Sequence, residues 1–207
     1  MKICGNRSHR DIRFAKDADY LGFVICTPRS RRSLEIEEAL PLFREASEYA
    51  KTVAVVTNAD TRFLRSVSDT LEPDFIQLHI RLTAAEIESA VKAVTAGIIP
   101  LAEPEPSFAG SARELAALTG IVIVDTFQKG LSGGTGSVHD WSASRALREA
   151  IYPSKLMLSG GLNPGNVEKA ISTVGPAIVD VSSGVESGGE KSEELVMEFI
   201  RKARCSM

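Results

Sequence analysis

The stretch IVIVDTFQKGLSGGTGSVHDW, residues 121–141, holds the pattern that decides the fold. It opens with four apolar, mostly β-branched residues, which are typical of a strand buried on both faces of a parallel sheet. The strand ends at an acid, Asp125, and a glycine-rich loop follows it. In parallel α/β proteins, the loops at the carboxyl ends of the strands carry the functional groups. The stretch alone leaves a second interpretation open, in which Asp125 caps a turn and the glycines form a surface connection.

Length, composition and charge place the chain among ordinary globular proteins. It has 207 residues, of which 43% are hydrophobic and 25% charged, and this composition is typical of a soluble protein with a sizeable core. The net charge of −3 gives no basic surface suited to nucleic acid, and no apolar run is long enough to span a membrane. Cys4, Cys26 and Cys205 are odd in number and far apart, which predicts no disulfide framework, no metal site and a cytoplasmic location.

Short apolar runs alternate with longer amphipathic runs along the whole chain. The pattern predicts strands at 2–4, 20–25, 52–56, 75–78, 98–101, 121–124, 156–158 and 177–181, with a helix after each. One of these helices, at 163–173, is predicted from Asn163 as N-cap and Pro164 as its first residue. Parallel neighbours need crossover helices, so eight such units predict a single (β/α)8 TIM barrel over residues 1–207. An open doubly wound sheet is the alternative, which the lack of a G-x-G-x-x-G motif after the first strand disfavours.

Polar residues follow most of the predicted strands, at the ends where a barrel places its active groups. They are Cys4, Arg29, Arg31, Arg32, Thr57, Asn58, Gln77, His79, Asp125 and Asp180. Taken singly, each has an ordinary structural explanation. A free cysteine is most often a small buried hydrophobe, and a lone histidine is most often a hydrogen-bonded structural residue. Their convergence on one face predicts a site.

Two turns rich in small residues follow the seventh and eighth predicted strands. LSGGLNPGNV covers residues 158–167, and DVSSGVES covers residues 180–187. Small residues let backbone N–H groups approach an anion closely, and barrels often bind phosphate at this location. The turns therefore predict a phosphate site formed by Gly160, Gly161, Ser182, Ser183 and Gly184. The alternative is that the glycines only make tight turns.

Six segments together resemble the phosphoribosylanthranilate isomerase family. They are KICGN, GFVI with the following SRR, IQLH, VDT with GGTG and DW, LSGGLNPGNV, and VDVSSGVES with a following lysine. They occur in the family's order from Lys2 to beyond Lys191. The resemblance implies a (β/α)8 barrel that catalyses the Amadori rearrangement of N-(5-phosphoribosyl)anthranilate in tryptophan biosynthesis. It implies a small-molecule substrate, no cofactor, and neither nucleic acid nor membrane as partner, and it leaves the oligomeric state open.

The resemblance also implies roles for individual residues. Cys4 would be the general base and Asp125 the general acid. Arg32, His79 and Asp180 would contact the substrate, and the turns after strands seven and eight would hold its phosphate. The loop residues expected to cover the site are Gly133, Gly134, Thr135 and Gly136. The chain departs from the family pattern at Ile80, where glycine is usual, and Arg29 or Arg31 could take the place of Arg32.

The chemistry makes matching demands on these residues. A general acid needs a pKa high enough to keep its proton near neutrality, and desolvation at the end of an apolar strand can raise the pKa of Asp125. A thiol acts as a base only as thiolate, which needs nearby positive charge. Arg32 and the backbone dipoles at the strand ends are the expected sources of that field for Cys4.

Two other functions fit parts of the sequence. Indole-glycerol-phosphate synthase and a histidine-pathway isomerase are related phosphosugar barrels, but a synthase is expected to carry a catalytic lysine on a strand. Lys2, Lys51 and Lys155 lie at strand starts, which predicts that they point to the opposite end of the barrel. A non-enzymatic phosphosugar-binding barrel should have lost the acid or the base, whereas this sequence keeps both.

Overall fold

The computed structural model describes residues 1–125 and 140–207, and in them eight parallel strands close into a barrel. The strands are β1 (Lys2–Ile3), β2 (Tyr20–Ile25), β3 (Lys51–Val56), β4 (Phe75–Leu78), β5 (Gly97–Ala102), β6 (Ile121–Val124), β7 (Lys155–Leu158) and β8 (Ile178–Val181). Each pairs with the next, and the ring closes at β1, where Lys2 lies opposite Tyr20 of β2 and Asp180 of β8. The predicted (β/α)8 barrel is confirmed, and the open doubly wound sheet is wrong.

In the described part of the chain, eight helices follow the strands and surround the barrel. They are α1 (His9–Ala15), α2 (Ile36–Ala46), α3 (Thr61–Leu71), α4 (Ala84–Ala93), α5 (Ala109–Thr119), α6 (Trp141–Ala150), α7 (Val167–Val174) and α8 (Glu193–Ser206). Side chains cap several of them, for example Asp60 at α3 and Ser192 at α8. No helix among the described residues has the length and apolar character needed to cross a membrane.

Helix α7 begins later than the sequence predicts. Its first residue is Val167, with Asn166 at the N-cap. The preceding residues form a turn in which the side-chain oxygen of Asn163 accepts a hydrogen bond from the N–H of Gly165 at 2.8 Å. Asn163 therefore stabilises the turn that follows β7, and this lengthens the loop at the mouth of the barrel.

Alternation along the strands separates two apolar layers. In β6, Ile121 and Ile123 pack inside the barrel, whereas Val122 and Val124 pack outward against the helices. The inner layer is built from Cys4, Val53, Val55, Ile99, Leu101, Ile121, Ile123, Met157 and Ile178. Because successive strand residues point to opposite faces, the residue after Val124 points inward again. The same period of two directs both Lys2 and Cys4 to the interior, with Ile3 between them packed outward.

Short additional elements lie in the loops that follow β2 and β8. The strand Ser33–Leu34 pairs with β2, and a hairpin joins Glu186–Ser187 to Glu190–Lys191. The 3-10 turn Ser183–Val185 connects β8 to that hairpin, and a second 3-10 turn, Pro106–Phe108, precedes α5. These elements are too short to leave a periodic pattern in the sequence and are not among the predicted ones.

Candidate active site

Cys4 lies directly after β1, and its side chain enters the barrel mouth. Its backbone N–H donates to the carbonyl of Val181 at 2.8 Å, which continues the β1–β8 pairing past the end of the strand. The residue is only 7% exposed and packs in the inner apolar layer. Cys4 therefore lies just past the end of β1, in a nearly dry setting.

Lys2 is fully buried and lies in the barrel interior beneath Cys4. Its ammonium donates to Oε1 of Gln77 at 2.6 Å and lies 3.2 Å from Oδ1 of Asp180. Burial lowers the pKa of Lys2, but the interactions of the ammonium with Asp180 and Cys4 outweigh burial and hold that pKa above its ordinary value. Lys2 therefore carries a positive charge at neutral pH.

The prediction that Lys2 lies at the end of the barrel away from the site is wrong. Strand β1 has only two residues, so the next inward-facing residue after Lys2 is already Cys4, at the barrel mouth. The long side chain of Lys2 covers the remaining distance within the interior. Lys2 is thus a site residue that sequence reasoning missed, and the shortness of β1 is what hid it.

The thiol of Cys4 experiences opposing influences. Burial raises its pKa most strongly, and the charge of Asp180 adds to that increase. The positive charges of Lys2 and Lys191 lower it but do not cancel the effect of burial, so the pKa of Cys4 lies above its ordinary value. The sequence predicts Arg32 and the backbone dipoles at the strand ends as the sources of positive field. Lys2 and Lys191 contribute most to lowering the pKa of Cys4, and Arg32 also interacts electrostatically with Cys4.

His79 and Asp125 follow β4 and β6 and meet across the mouth. Nε2 of His79 lies 3.6 Å from Oδ2 of Asp125, and the two side chains are 30% and 25% exposed. Nδ1 of His79 lies 3.2 Å from Nε2 of Gln77. A chain of polar contacts therefore crosses the barrel from Lys2 through Gln77 and His79 to Asp125. It begins below the thiol of Cys4 and ends at the predicted acid.

Arg32 lies in the loop after β2 and is held by a carboxylate that the sequence analysis did not single out. Its Nε and Nη2 donate to the two oxygens of Glu186 at 2.7 and 2.8 Å. Arg31 and Lys191 donate to the same carboxylate at 2.6 and 3.2 Å. Burial raises the pKa of Glu186, but the hydrogen bond from Arg32 and the charge of Lys191 outweigh burial and hold that pKa below its ordinary value.

Gly5 allows this arrangement to approach the first strand. Its φ is +73°, and a Cβ at this position would lie 2.5 Å from Cδ of Arg32 and 2.9 Å from Oγ of Ser182. The glycine of KICG therefore admits the arginine of the β2 loop and the serine of the β8 turn beside Cys4. Arg32 is the arginine placed here, while Arg29 is exposed.

The turns after β7 and β8 pack against each other backbone to backbone. A Cβ on Gly184 would lie 1.8 Å from the carbonyl oxygen of Leu162, so only glycine fits there. Ser159, just before the first turn, donates to Oδ2 of Asp180 at 3.1 Å and ties the two strands together. The backbone N–H groups of Gly160, Gly161, Ser183 and Gly184 donate to no group within residues 1–125 and 140–207. They are donors of the kind that a phosphate can accept from.

The residues predicted to cover the site lie outside the described residues, which resume at Asp140; they are Gly133, Gly134, Thr135 and Gly136. Asp140 caps α6 by accepting a hydrogen bond from the N–H of Ser142 at 2.9 Å.

Comparison with known proteins adds sequence relatives over the full length of the chain. The family model for N-(5′-phosphoribosyl)anthranilate (PRA) isomerase matches residues 1–202. An N-(5′-phosphoribosyl)anthranilate isomerase of Methanothrix thermoacetophila is 38% identical, with 99% of this chain and 97% of that protein covered. One from Haloferax volcanii is 35% identical, with 100% and 93% covered.

Solved structures of similar chains have the same barrel. Phosphoribosyl anthranilate isomerase from Thermotoga maritima superposes with a TM-score of 0.85 at 29% identity, covering 99% of this chain and 98% of that one. Another phosphoribosyl anthranilate isomerase was solved in complex with reduced 1-(o-carboxyphenylamino)-1-deoxyribulose 5-phosphate. It gives a TM-score of 0.81 at 29% identity, with 99% and 97% covered.

We expect Gly184→Ala to lower the free energy of unfolding by about 1–3 kcal/mol, because the added Cβ must push apart two backbone segments. Chemical denaturation measures the change. Gly110→Ala is the matched control, since a Cβ there meets nothing within 4 Å and alanine favours the helix. An equal free energy of unfolding in the wild type and Gly184→Ala would contradict the close packing of the two turns.

Proposed function

The chain belongs to the N-(5′-phosphoribosyl)anthranilate isomerase family, and we propose that Cys4 and Asp125 are the base and the acid of its Amadori rearrangement. The protein is an isomerase of tryptophan biosynthesis. The observation that carries the assignment is that the proposed base and the proposed acid each have a different polar neighbour at the same barrel mouth. The thiol of Cys4 lies next to a buried ammonium, and the carboxyl of Asp125 lies next to an imidazole with partial access to solvent.

In the first step, Asp125 donates its proton to the ring oxygen of the phosphoribosyl group. The bond between C1′ and the ring oxygen breaks, and the nitrogen lone pair forms the C1′=N bond of an iminium ion. Asp125 becomes a carboxylate in this step. Its position beside Nε2 of His79 gives that new charge a hydrogen-bond donor within reach, since such contacts tighten when the substrate binds.

In the second step, the thiolate of Cys4 removes the proton from C2′. The electron pair of that C–H bond forms C1′=C2′, and the electrons of the C=N bond return to nitrogen. The enolamine then takes a proton at C1′ while its 2′-hydroxyl loses one, which completes the ketone. The ammonium of Lys2 next to Cys4 favours the thiolate, and because Lys2 keeps its proton, it does not compete as a base.

The remaining predicted site residues complete the proposal. The N–H groups of Gly160, Gly161, Ser183 and Gly184, with the hydroxyl of Ser182, would hold the 5′-phosphate. Arg32 would supply positive charge to the substrate, in the orientation set by Glu186. His79 and Asp180 would contact the sugar, and the loop that contains Gly133, Gly134, Thr135 and Gly136 would cover it. The similar barrel solved with reduced 1-(o-carboxyphenylamino)-1-deoxyribulose 5-phosphate supports a phosphorylated sugar derivative as the ligand.

We expect Cys4→Ser and Asp125→Asn each to lower kcat by about 10²–10⁴-fold with KM changed much less, because each removes one proton transfer. The decay of substrate fluorescence follows the reaction. Cys26→Ser is the matched control, since Cys26 lies outside the inner layer and binds Glu35. Near-normal turnover in either site variant would refute the role assigned to that residue.

The pH dependence gives a second test of the base. Because the pKa of Cys4 lies above its ordinary value, the thiolate fraction of the free enzyme is small at neutral pH and grows as the pH rises. We expect the residual kcat/KM of Asp125→Asn, in which the acid no longer titrates, to increase with pH by up to about tenfold per pH unit until the pH reaches the pKa of the thiol. Steady-state rates of this variant between pH 6.5 and 9.5 measure it. A profile of Asp125→Asn that is flat above pH 7 would contradict a buried thiol as base.

A further inference from the structure

Gln77 is a fully enclosed amide between the base side and the acid side of the site. It is 2% exposed and contacts Lys2 through one end of its amide and His79 through the other. We propose that Gln77 is a positioning residue that holds His79 in the tautomer with its proton on Nε2, the nitrogen that faces Asp125. The tautomer follows from the contacts alone, whereas its effect on the reaction rests on the proposed role of Asp125.

The contact with Lys2 determines the orientation of the Gln77 amide. The ammonium of Lys2 has three N–H donors and no acceptor, so the Gln77 atom 2.6 Å away from it must be the carbonyl oxygen. Lys2 is itself held from the other side by Asp180 at 3.2 Å. The buried ammonium therefore determines which end of the Gln77 amide faces Lys2 and which end faces His79.

The orientation of the Gln77 amide determines which nitrogen of His79 carries the proton. With its oxygen on Lys2, Gln77 presents its NH2 group to Nδ1 of His79 at 3.2 Å. An NH2 group only donates, so Nδ1 must accept and carries no proton. The neutral ring then has its single proton on Nε2.

The tautomer of His79 affects the proposed acid, Asp125. Nε2 of His79 lies 3.6 Å from Oδ2 of Asp125, so this tautomer places an N–H donor beside the carboxyl group. When Asp125 gives its proton to the substrate, this N–H stabilises the carboxylate that forms. The opposite tautomer would place a lone pair against that carboxylate and would slow the same step. Gln77 thus acts on catalysis through His79, without contacting the reacting atoms.

The test is the tautomer of His79 in the wild type and in Gln77→Glu. Glutamate has the same shape and still accepts from Lys2, but its second oxygen also accepts, so Nδ1 of His79 must become a donor. Two-bond ¹H–¹⁵N correlation spectra of labelled protein distinguish protonated from unprotonated ring nitrogens. The chain has three histidines, so His9→Gln and His139→Gln spectra identify the His79 signals. We expect a proton on Nε2 alone in the wild type and a proton on Nδ1 in Gln77→Glu.

Kinetics test the consequence of the change. We expect Gln77→Glu to lower kcat by about tenfold or more with KM changed less than about threefold, since the lost contact acts after the substrate has bound. Ser66→Glu is the control because it adds the same negative charge at an exposed position of α3, away from the barrel mouth. Its kcat and its His79 spectrum should equal those of the wild type.

Three results would overturn the proposal. A wild-type ring that carries a proton on Nδ1 would show that the amide does not set the tautomer. An unchanged His79 spectrum in Gln77→Glu would show the same, and this comparison needs only folded protein. A tautomer change with normal kcat would remove Gln77 from catalysis. Failure of the proposed acid would look different, because Asp125→Asn would then keep its turnover while the His79 spectra behaved as expected.

Discussion

A buried ammonium group, that of Lys2, is the constraint on which the arrangement of this site depends. An isolated charge in an apolar interior costs several kcal/mol, so it must be paired and hydrogen-bonded. Asp180 and Gln77 meet that requirement from β8 and β4. Because the ammonium also lies next to Cys4, the charge that the interior must compensate also offsets part of the increase that burial causes in the pKa of the thiol. The apolar inner layer below keeps this polar cluster dry and therefore strongly coupled.

The groups proposed for chemistry and for binding are supported in different ways. Cys4, His79 and Asp125 directly follow strands, whose pairing across the sheet restricts their positions. The groups proposed for binding lie in loops, and other contacts hold these loops in place. Glu186 joins the loop after β2 to the hairpin after β8 by binding Arg31, Arg32 and Lys191. An ion-paired cluster of this kind lets loops carry a site with defined geometry.

Much of the fold and part of the site could be predicted from local pattern. The alternation of strands and helices led to the closed barrel, and the period of two along Ile121–Val124 explains why Asp125 points into the mouth. The errors have physical causes. Strand β1 has only two residues, so a residue at its start still reaches the site, and Lys2 was assigned to the wrong end. Asn163 stabilises a turn instead of starting a helix, a choice that depends on its contact with Gly165. Glu186 lies in a hairpin too short to leave a periodic pattern.

The sequence by itself determined the barrel, the order of its strands and the residues that follow them, because each of these depends on residues that are close along the chain. Only the tertiary structure decided which charges meet. Lys2 and Gln77 are 75 residues apart, and Arg32 and Glu186 are 154 residues apart. Lys2 on β1 meets Gln77 on β4 across the barrel interior, and the crossover helices between successive parallel strands make such partners distant in sequence. Their pairing, and with it the electrostatic environment of Cys4 and the hydrogen bonds of His79, exists only once the barrel has closed.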